Sequence, residues 1–270
     1  MPTALRNNHV GLASNFPDYG RLIRGILKTY MDVATDLLAS DGFELEVETD
    51  LRSWRSVMLD ASGTDGINPT FDPDKSGEPE DAYFLHVRSA SGATAAVMAG
   101  RFIETDDYHD YVRRGLLWSP PSAPRPVEIL LDEPGPSGRL SHCGGLWVDP
   151  AYRGIGLSWL VPRLNHAVAA HRWGVDGIVG VVFDRLLAKG VPTANYGVPD
   201  VRLCVDGWFW PTGREERMYQ TFTPADFLIK RTWDDLEKIR TGRDKKMRDF
   251  APIARKRDDK PPVDKLALVP

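Results

Sequence analysis

The stretch LWVDPAYRGIGLSWLVPRLNHAVAAHRWG, residues 146–174, decides how this chain is read. An apolar strand ends at Val148. Asp149–Pro150 then forces a turn, because the residue before a proline avoids the helical region. Arg153, Gly154 and Gly156 follow, and an amphipathic helix begins near Ile155 and runs to Trp173, with Gly174 to close it. Its apolar set, Leu157, Leu160, Val161, Leu164, Ala167 and Val168, recurs at helical period. Pro162 falls inside the helix and is expected to kink it or loosen its first turns. A glycine-rich turn entering a helix aims free backbone N–H groups at one spot, and the helix dipole adds positive potential there. Glycine lets a phosphate come close to the backbone, and Arg153 adds charge beside it. This is a pyrophosphate cradle in outline, with a purely structural turn as the competing reading. The glycine spacing lacks the third glycine of a dinucleotide fingerprint, and no G-K-[ST] follows as in a P-loop.

Outward from this segment, RLSHCGGLWV (139–148) and GIVGVVF (177–183) read as the strands on either side of the helix, a βαβ-like unit. Upstream, the period of three and four from Arg21 to Leu38 predicts a helix, FELEVET (43–49) a strand and residues 51–62 a short helix. Residues 63–81, rich in Gly, Pro and Asp, read as a long mobile loop. Two strands are expected over 82–105, a helix over 106–118, a stiff linker over 119–126 and a further strand at VEILLD (127–132). Downstream come a short helix, two aromatic-rich strands and a helix near 224–240. The domain expectation is therefore an irregular N-terminus over 1–20, one domain over 21–240 with its core at about 82–223, and a charged, flexible tail over 241–270. Within 241–262 stand eight Lys/Arg against four Asp, which reads as a solvated arm.

The chain has 270 residues, 42% hydrophobic and 27% charged, ordinary values for a globular protein able to bury its own core. A net charge of −4 makes nucleic acid an unexpected partner. No apolar run approaches membrane-spanning length, so no membrane partner is expected. The start lacks the pattern of a secretory signal. Two cysteines, Cys143 and Cys204, suit a reducing compartment, and the expected location is the cytoplasm. The six histidines show no metal-binding spacing, so no metal is expected.

The stretch V-D-P-A-Y-R-G-I-G-L-S (148–158) resembles the acetyl-CoA-binding motif of the GNAT N-acetyltransferase superfamily. That motif is an apolar strand with V-x-P-x-[YF]-R, then [RQ]-x-x-G-x-[GA] at the helix start. Arg153, Gly156 and Ser158 take those last three places, Ser158 departing from Gly/Ala while remaining small. The resemblance implies an α/β fold with a mixed central sheet, splayed between two parallel strands where the pantetheine arm lies. Here those strands would be 139–148 and 177–183. It implies acetyl-CoA or another acyl-CoA as cosubstrate, held by Trp147, Val148, Arg153, Gly154, Ile155, Gly156, Leu157 and Ser158. It also assigns a backbone N–H of Trp147 or Val148 to the thioester carbonyl, an oxyanion-hole duty.

The family's base lies on or near the first splayed strand. His142 leads, on its near-neutral titration and on sharing strand parity with Leu146 and Val148. Glu128 and Glu104 come next. For all three, a structural or solvent-facing role is the competing reading. Tyr196 is the one tyrosine in the region from which the family's leaving thiolate receives its proton. Cys143 beside His142 faces the other side of its strand, which argues against a nucleophilic pair. Trp208-Phe209-Trp210 suits packing or a subunit interface, such as a homodimer.

The implied function is N-acyl transfer, most simply N-acetyl transfer, from acyl-CoA to an amine of a small molecule in a ternary complex. One alternative is similarity to acyl-homoserine-lactone synthases, hinted at by the FDPD loop and by AGRFIET. Another is an acyl-CoA-binding module without chemistry.

Overall fold

The computed structural model describes residues 17–253 except 65, 78 and 80. The chain opens with a long helix, α1 (Pro17–Ser40), which starts before Arg21 because a proline is well placed in a first helical turn. The rest of the expected irregular N-terminus lies outside the described residues. Strand β1 (Phe43–Glu48) and helix α2 (Leu51–Asp60) follow as expected. Residues 63–81 depart from the expected mobile loop. They contain a 3-10 turn at Pro69–Phe71 and a short helix α3 (Pro73–Ser76). Phe71 is fully buried against Trp54, and Asp72, also buried, pairs with Arg55 at 3.0 Å. An apolar anchor within a Gly/Pro/Asp-rich segment fixes what composition alone reads as loose.

β2 (Ala82–Ser89) and β3 (Thr94–Thr105) form the expected hairpin, and α4 (Tyr108–Arg113) is the shortened form of the expected 106–118 helix. VEILLD is a correction. Residues 127–131 form no strand and join no sheet, although Val127, Ile129 and Leu131 are buried. They run beside the later strand residues through Leu130 N–H to the Cys204 carbonyl. Then come β4 (Gly138–Val148), α5 (Leu157–Trp173) and β5 (Gly177–Phe183). Helix α5 runs unbroken through Pro162, whose missing N–H would have reached the Ser158 carbonyl four residues earlier. Short helices α6 (Asp184–Leu187) and α7 (Val191–Ala194) lead into β6 (Asp200–Phe209), β7 (Arg214–Pro224), α8 (Ala225–Thr241) and α9 (Met247–Phe250).

The seven strands form one mixed sheet in the order β1-β2-β3-β4-β5-β7-β6. All neighbours are antiparallel except β4 and β5, which are parallel. This is the mixed α/β sheet expected from the sequence. Helices α1, α5, α8 and α9 cover one face, joined in a core around Leu27, Tyr30, Leu160, Leu164, Leu228 and Leu236. The other face carries two smaller cores, one around Trp54, Phe71 and Trp147, the other around Tyr108, Trp118 and Phe209.

The last of the described residues pack on the domain. Met247 and Phe250, the latter stacked on Trp159 at 5.6 Å, are buried. Lys246 Nζ bonds the Ser40 carbonyl, Met247 N–H the Asp41 carboxylate and Lys238 Nζ the Phe250 carbonyl. The charged composition hides two apolar anchors, so residues 246–253 form a fixed strap across α1, α5 and α8 rather than free tail. Residues 254–270 lie outside the described residues.

Candidate functional site

β4 and β5 pair at only three positions, Leu140, Ser141 and His142 with Gly177, Ile178 and Val179. At the next step a side chain at Gly180 would meet the Cys143 carbonyl at 2.8 Å, so glycine is what allows the strands to pass so closely before they part. Beyond this point β4 bends away. Val97 pairs with Trp147 and Ala99 with Gly144, so Gly145 and Leu146 together oppose Met98. This is a β-bulge, and Gly145, at φ +63°, supplies the left-handed residue it needs.

The bulge overturns the parity expected for His142. One extra residue shifts every later side chain to the opposite face. Leu146 and Val148 pack with Cys143 on the α5 face. Trp147 instead joins Trp54 and Phe71 on the other face. His142 lies against Phe71, 5.8 Å between ring centroids, and so shares Trp147's face.

His142 is fully buried, with Tyr108 Oη 2.7 Å from its Nδ1. Burial, reinforced by the positive charge of Arg101, pushes its pKa down to about 3. The ring is therefore neutral at ordinary pH and shares a hydrogen bond with the Tyr108 hydroxyl, a poor match for a base that must take a proton near neutrality. Glu128 is exposed between the buried Val127 and Ile129, outside the sheet, and Glu104 is exposed at the end of β3. Neither faces the His142 cluster. Both cysteines are buried, and burial pushes each thiol up to about 12, so neither offers a thiolate.

The turn into α5 is built by Gly154 (φ +84°) and Gly156 (φ +103°), the latter the N-cap of the helix. Arg153 is exposed, and its Nε donates to the Val148 carbonyl at 3.0 Å. Leu157 is core, Ile155 packs at its edge, and Ser158 is half-buried. The strap lies on this turn. A side chain at Gly156 would come within 2.5 Å of the Met247 backbone. Asn195 ties the same corner: its Nδ2 donates to Ser158 Oγ (3.0 Å) and to the Ile253 carbonyl (3.2 Å), while its Oδ1 accepts from Ile253 N–H (3.1 Å). The glycine turn expected from sequence is present at the start of α5, with the strap seated on part of it.

Tyr196 follows Asn195 directly. Its hydroxyl is raised by burial and stays protonated at neutral pH. Two arginines hold its loop. Arg163 Nε donates to the Asn195 carbonyl and Arg231 Nη1 to the Tyr196 and Gly197 carbonyls. Arg163 also pairs with Asp235 at 2.6 Å.

Sequence reasoning missed Asn195, Tyr108, Arg101 and the strap. The signal for Arg101 was present: an arginine in the middle of the apolar run MAGRFI. Among the described residues, Glu46, Glu48 and His86 form the one trio with metal-ligand proximity. Arg88 stands among them, 3.0 Å from Glu46 and 3.1 Å from His86 Nδ1, so they form an ion-pair network. A groove of about 510 Å³ between α1 and α8, lined by Leu22, Ile26 and Trp233, shares no residue with the turn. No helix among the described residues is long and apolar enough to cross a membrane.

No family model matches the chain, and no curated protein matches it. Similar solved structures include spermidine N-acetyltransferase from Vibrio cholerae, with 10% identity and a TM-score of 0.42 over 69% of this chain and 97% of that one. NAA60 of Arabidopsis thaliana in complex with acetyl-CoA has 10% identity and a TM-score of 0.44 over 68% of this chain and 99% of that one. Ribosomal-protein-S5-alanine acetyltransferase from Vibrio fischeri has 12% identity and a TM-score of 0.35 over 54% of this chain and 62% of that one.

Proposed function

We propose that this protein is an acyl-CoA-dependent N-acyltransferase, most simply an N-acetyltransferase, acting on an amine of a small molecule. The observation that carries the reading is the parting of parallel strands β4 and β5 after three pairs, with a bulge in β4 followed by the glycine turn of α5. A split between strands offers unpaired backbone groups to an extended, amide-bearing chain such as pantetheine. The helix start offers N–H groups to a pyrophosphate.

In this reading Arg153, Gly154, Ile155, Gly156, Leu157 and Ser158 surround the pyrophosphate. A backbone N–H of Trp147 or Val148 receives the charge that develops on the thioester oxygen. The amine nitrogen bonds to the acyl carbon, the C–S bond breaks, the nitrogen loses one proton and the thiolate gains one. Tyr196 is the protonated donor suited to that last role. His142, neutral and bonded to Tyr108, serves as a fixed polar wall, and a substrate amine that arrives unprotonated needs no strong base. A pyrophosphate at Gly156 meets the strap, so residues 246–253 must either yield to it or line it. Arg248, exposed on the strap beside Gly156, suits the second arrangement.

Thermal melts with acetyl-CoA, CoA and no ligand test the reading. Micromolar binding at millimolar ligand stabilises by about 4 kcal/mol, and the absence of any shift would sink it. A second reading, an acyl-CoA-binding module without chemistry, draws on the depressed pKa of His142. A melt shift with no turnover of any amine would favour it.

A further inference from the structure

We infer that Arg101 is the anchor of a carboxylate-binding site, so that the molecule taken up on this face is an amine that also carries a carboxylate, as an α-amino acid does. The inference deepens the acyl-transfer reading and rests on it for the amine alone. The carboxylate site stands on its own geometry.

Arg101 is 5% exposed in the middle of β3. No aspartate or glutamate among the described residues pairs with it. Elsewhere in the molecule the buried Arg163 has Asp235, and the half-buried Arg55 has Asp72 and Asp74. A buried guanidinium without a counter-charge is costly.

The donors show where that charge would sit. Nη1 is used on the protein, donating to the Thr70 carbonyl at 3.2 Å and the Leu117 carbonyl at 3.3 Å. Nη2 makes one long contact, 3.4 Å to Tyr111 Oη. Nε is buried with no partner. Nε–H and one Nη2–H lie side by side in the guanidinium plane, and such an edge binds a carboxylate through two parallel hydrogen bonds. So the two carbonyls fix the group, and on the bidentate edge Nε has no protein partner and Nη2 only the long contact to Tyr111.

The position suits the chemistry. Arg101 pairs with His142 across β3 and β4, and His142 is the last residue of β4 paired with β5 before the split. Directly opposite residues share a face, so Arg101, His142 and Tyr108 look to the same side of the sheet. An α-amine lies two bonds from its carboxyl carbon. A carboxylate on Arg101 therefore leaves the amine near the neighbouring strand, where β4 and β5 part. Burial lowers the pKa of Arg101, and the nearby Tyr111 and Tyr108 oppose that effect, in keeping with a cation that lacks an acidic neighbour.

The experiment uses the full chain and three matched pairs: tyrosine and tyramine, tryptophan and tryptamine, histidine and histamine. Melting temperatures are measured with each at millimolar concentration and equal ionic strength, with sodium chloride as control. Turnover with acetyl-CoA is read by thiol release. At least one acid is expected to stabilise the protein and to exceed its amine. Arg101→Gln should abolish that shift, and Arg101→Lys, which keeps charge but loses the fork, should weaken binding about 10-fold or more. If Arg101→Gln fails to fold by circular dichroism, Arg101→Lys carries the comparison. Equal stabilisation by acid and amine, by acid and chloride, or by no acid at all overturns the site. A shift with acetyl-CoA but none specific to acids removes the carboxylate site and leaves acyl transfer standing. A shift with acids but none with acetyl-CoA does the reverse.

Discussion

Gly156 answers to two demands at once, and they separate the residues of the turn by experiment. Its φ of +103° is one that side chains rarely adopt, and the Met247 backbone occupies the space a Cβ needs. Gly156→Val is therefore expected to lower the melting temperature whether or not the turn ever meets a phosphate, so this variant says nothing about ligand. Arg153 is different. It is exposed and spends one donor, Nε, on a neighbouring carbonyl. Arg153→Ala removes a charge-assisted contact from a bound pyrophosphate and should weaken acyl-CoA about 10- to 100-fold. Its melt without ligand should match that of the original protein. Calorimetric titration of acetyl-CoA against Arg153→Ala is the decisive measurement; unchanged affinity would mean the turn is only architecture.

At the scale of elements, the strap α9 and its flanks couple three helices to the turn. Phe250 is 3% exposed and stacked on Trp159. Phe250→Ala should cost about 3 kcal/mol, toward the low end for a phenylalanine because a terminal strap can settle into the space. Chemical denaturation of this variant beside a chain ending at residue 245 checks it. Both should lose stability, and a truncated chain as stable as the whole would show the strap to be idle. The strap also marks where the sequence stops being legible. β4, α5 and β5 could be read because one face of each is continuously apolar, and the glycine turn announced itself. Met247 and Phe250 stand among eight basic residues, so composition outweighed two anchors. The bulge at Gly145 was invisible for another reason. A Gly-Gly pair in a strand fits several backbone paths, and only pairing with β3 selects one. That one residue moved His142 away from Leu146 and Val148, and with it the base expected there. Residues 127–131 bury alternate side chains as a strand does, yet they join no ladder, so alternation alone does not make a strand.

For the whole molecule, the balance of buried charge sets how stability responds to acid. His142 and His166 lie in different cores, and both are held neutral, His142 at about 3 and His166 well below its ordinary value, in each case by burial first and by neighbouring arginines second. Their partners fit the neutral form. The Tyr108 hydroxyl lies 2.7 Å from His142 Nδ1, and Arg231 Nη2 lies 3.1 Å from His166 Nδ1. In the unfolded chain each would titrate near 6.5. Between that value and the folded one, unfolding takes up a proton at each site, so stability must fall as pH falls. The contribution is fully present above about pH 6.5 and is lost toward pH 3, at about 1.4 kcal/mol per pH unit for each histidine. Asp50, held low by the Ser53 hydroxyl and backbone N–H groups, adds its own loss only at the acid end of this range, as pH falls below the ordinary aspartate value. Urea unfolding at pH 7.5, 6 and 5 should show the decline. His166→Gln should flatten it by about half, because the amide can still accept from Arg231 but takes no proton. A stability that stays level from pH 7.5 to 5, in the original protein, would mean that water reaches these rings and that the two cores are looser than their burial implies.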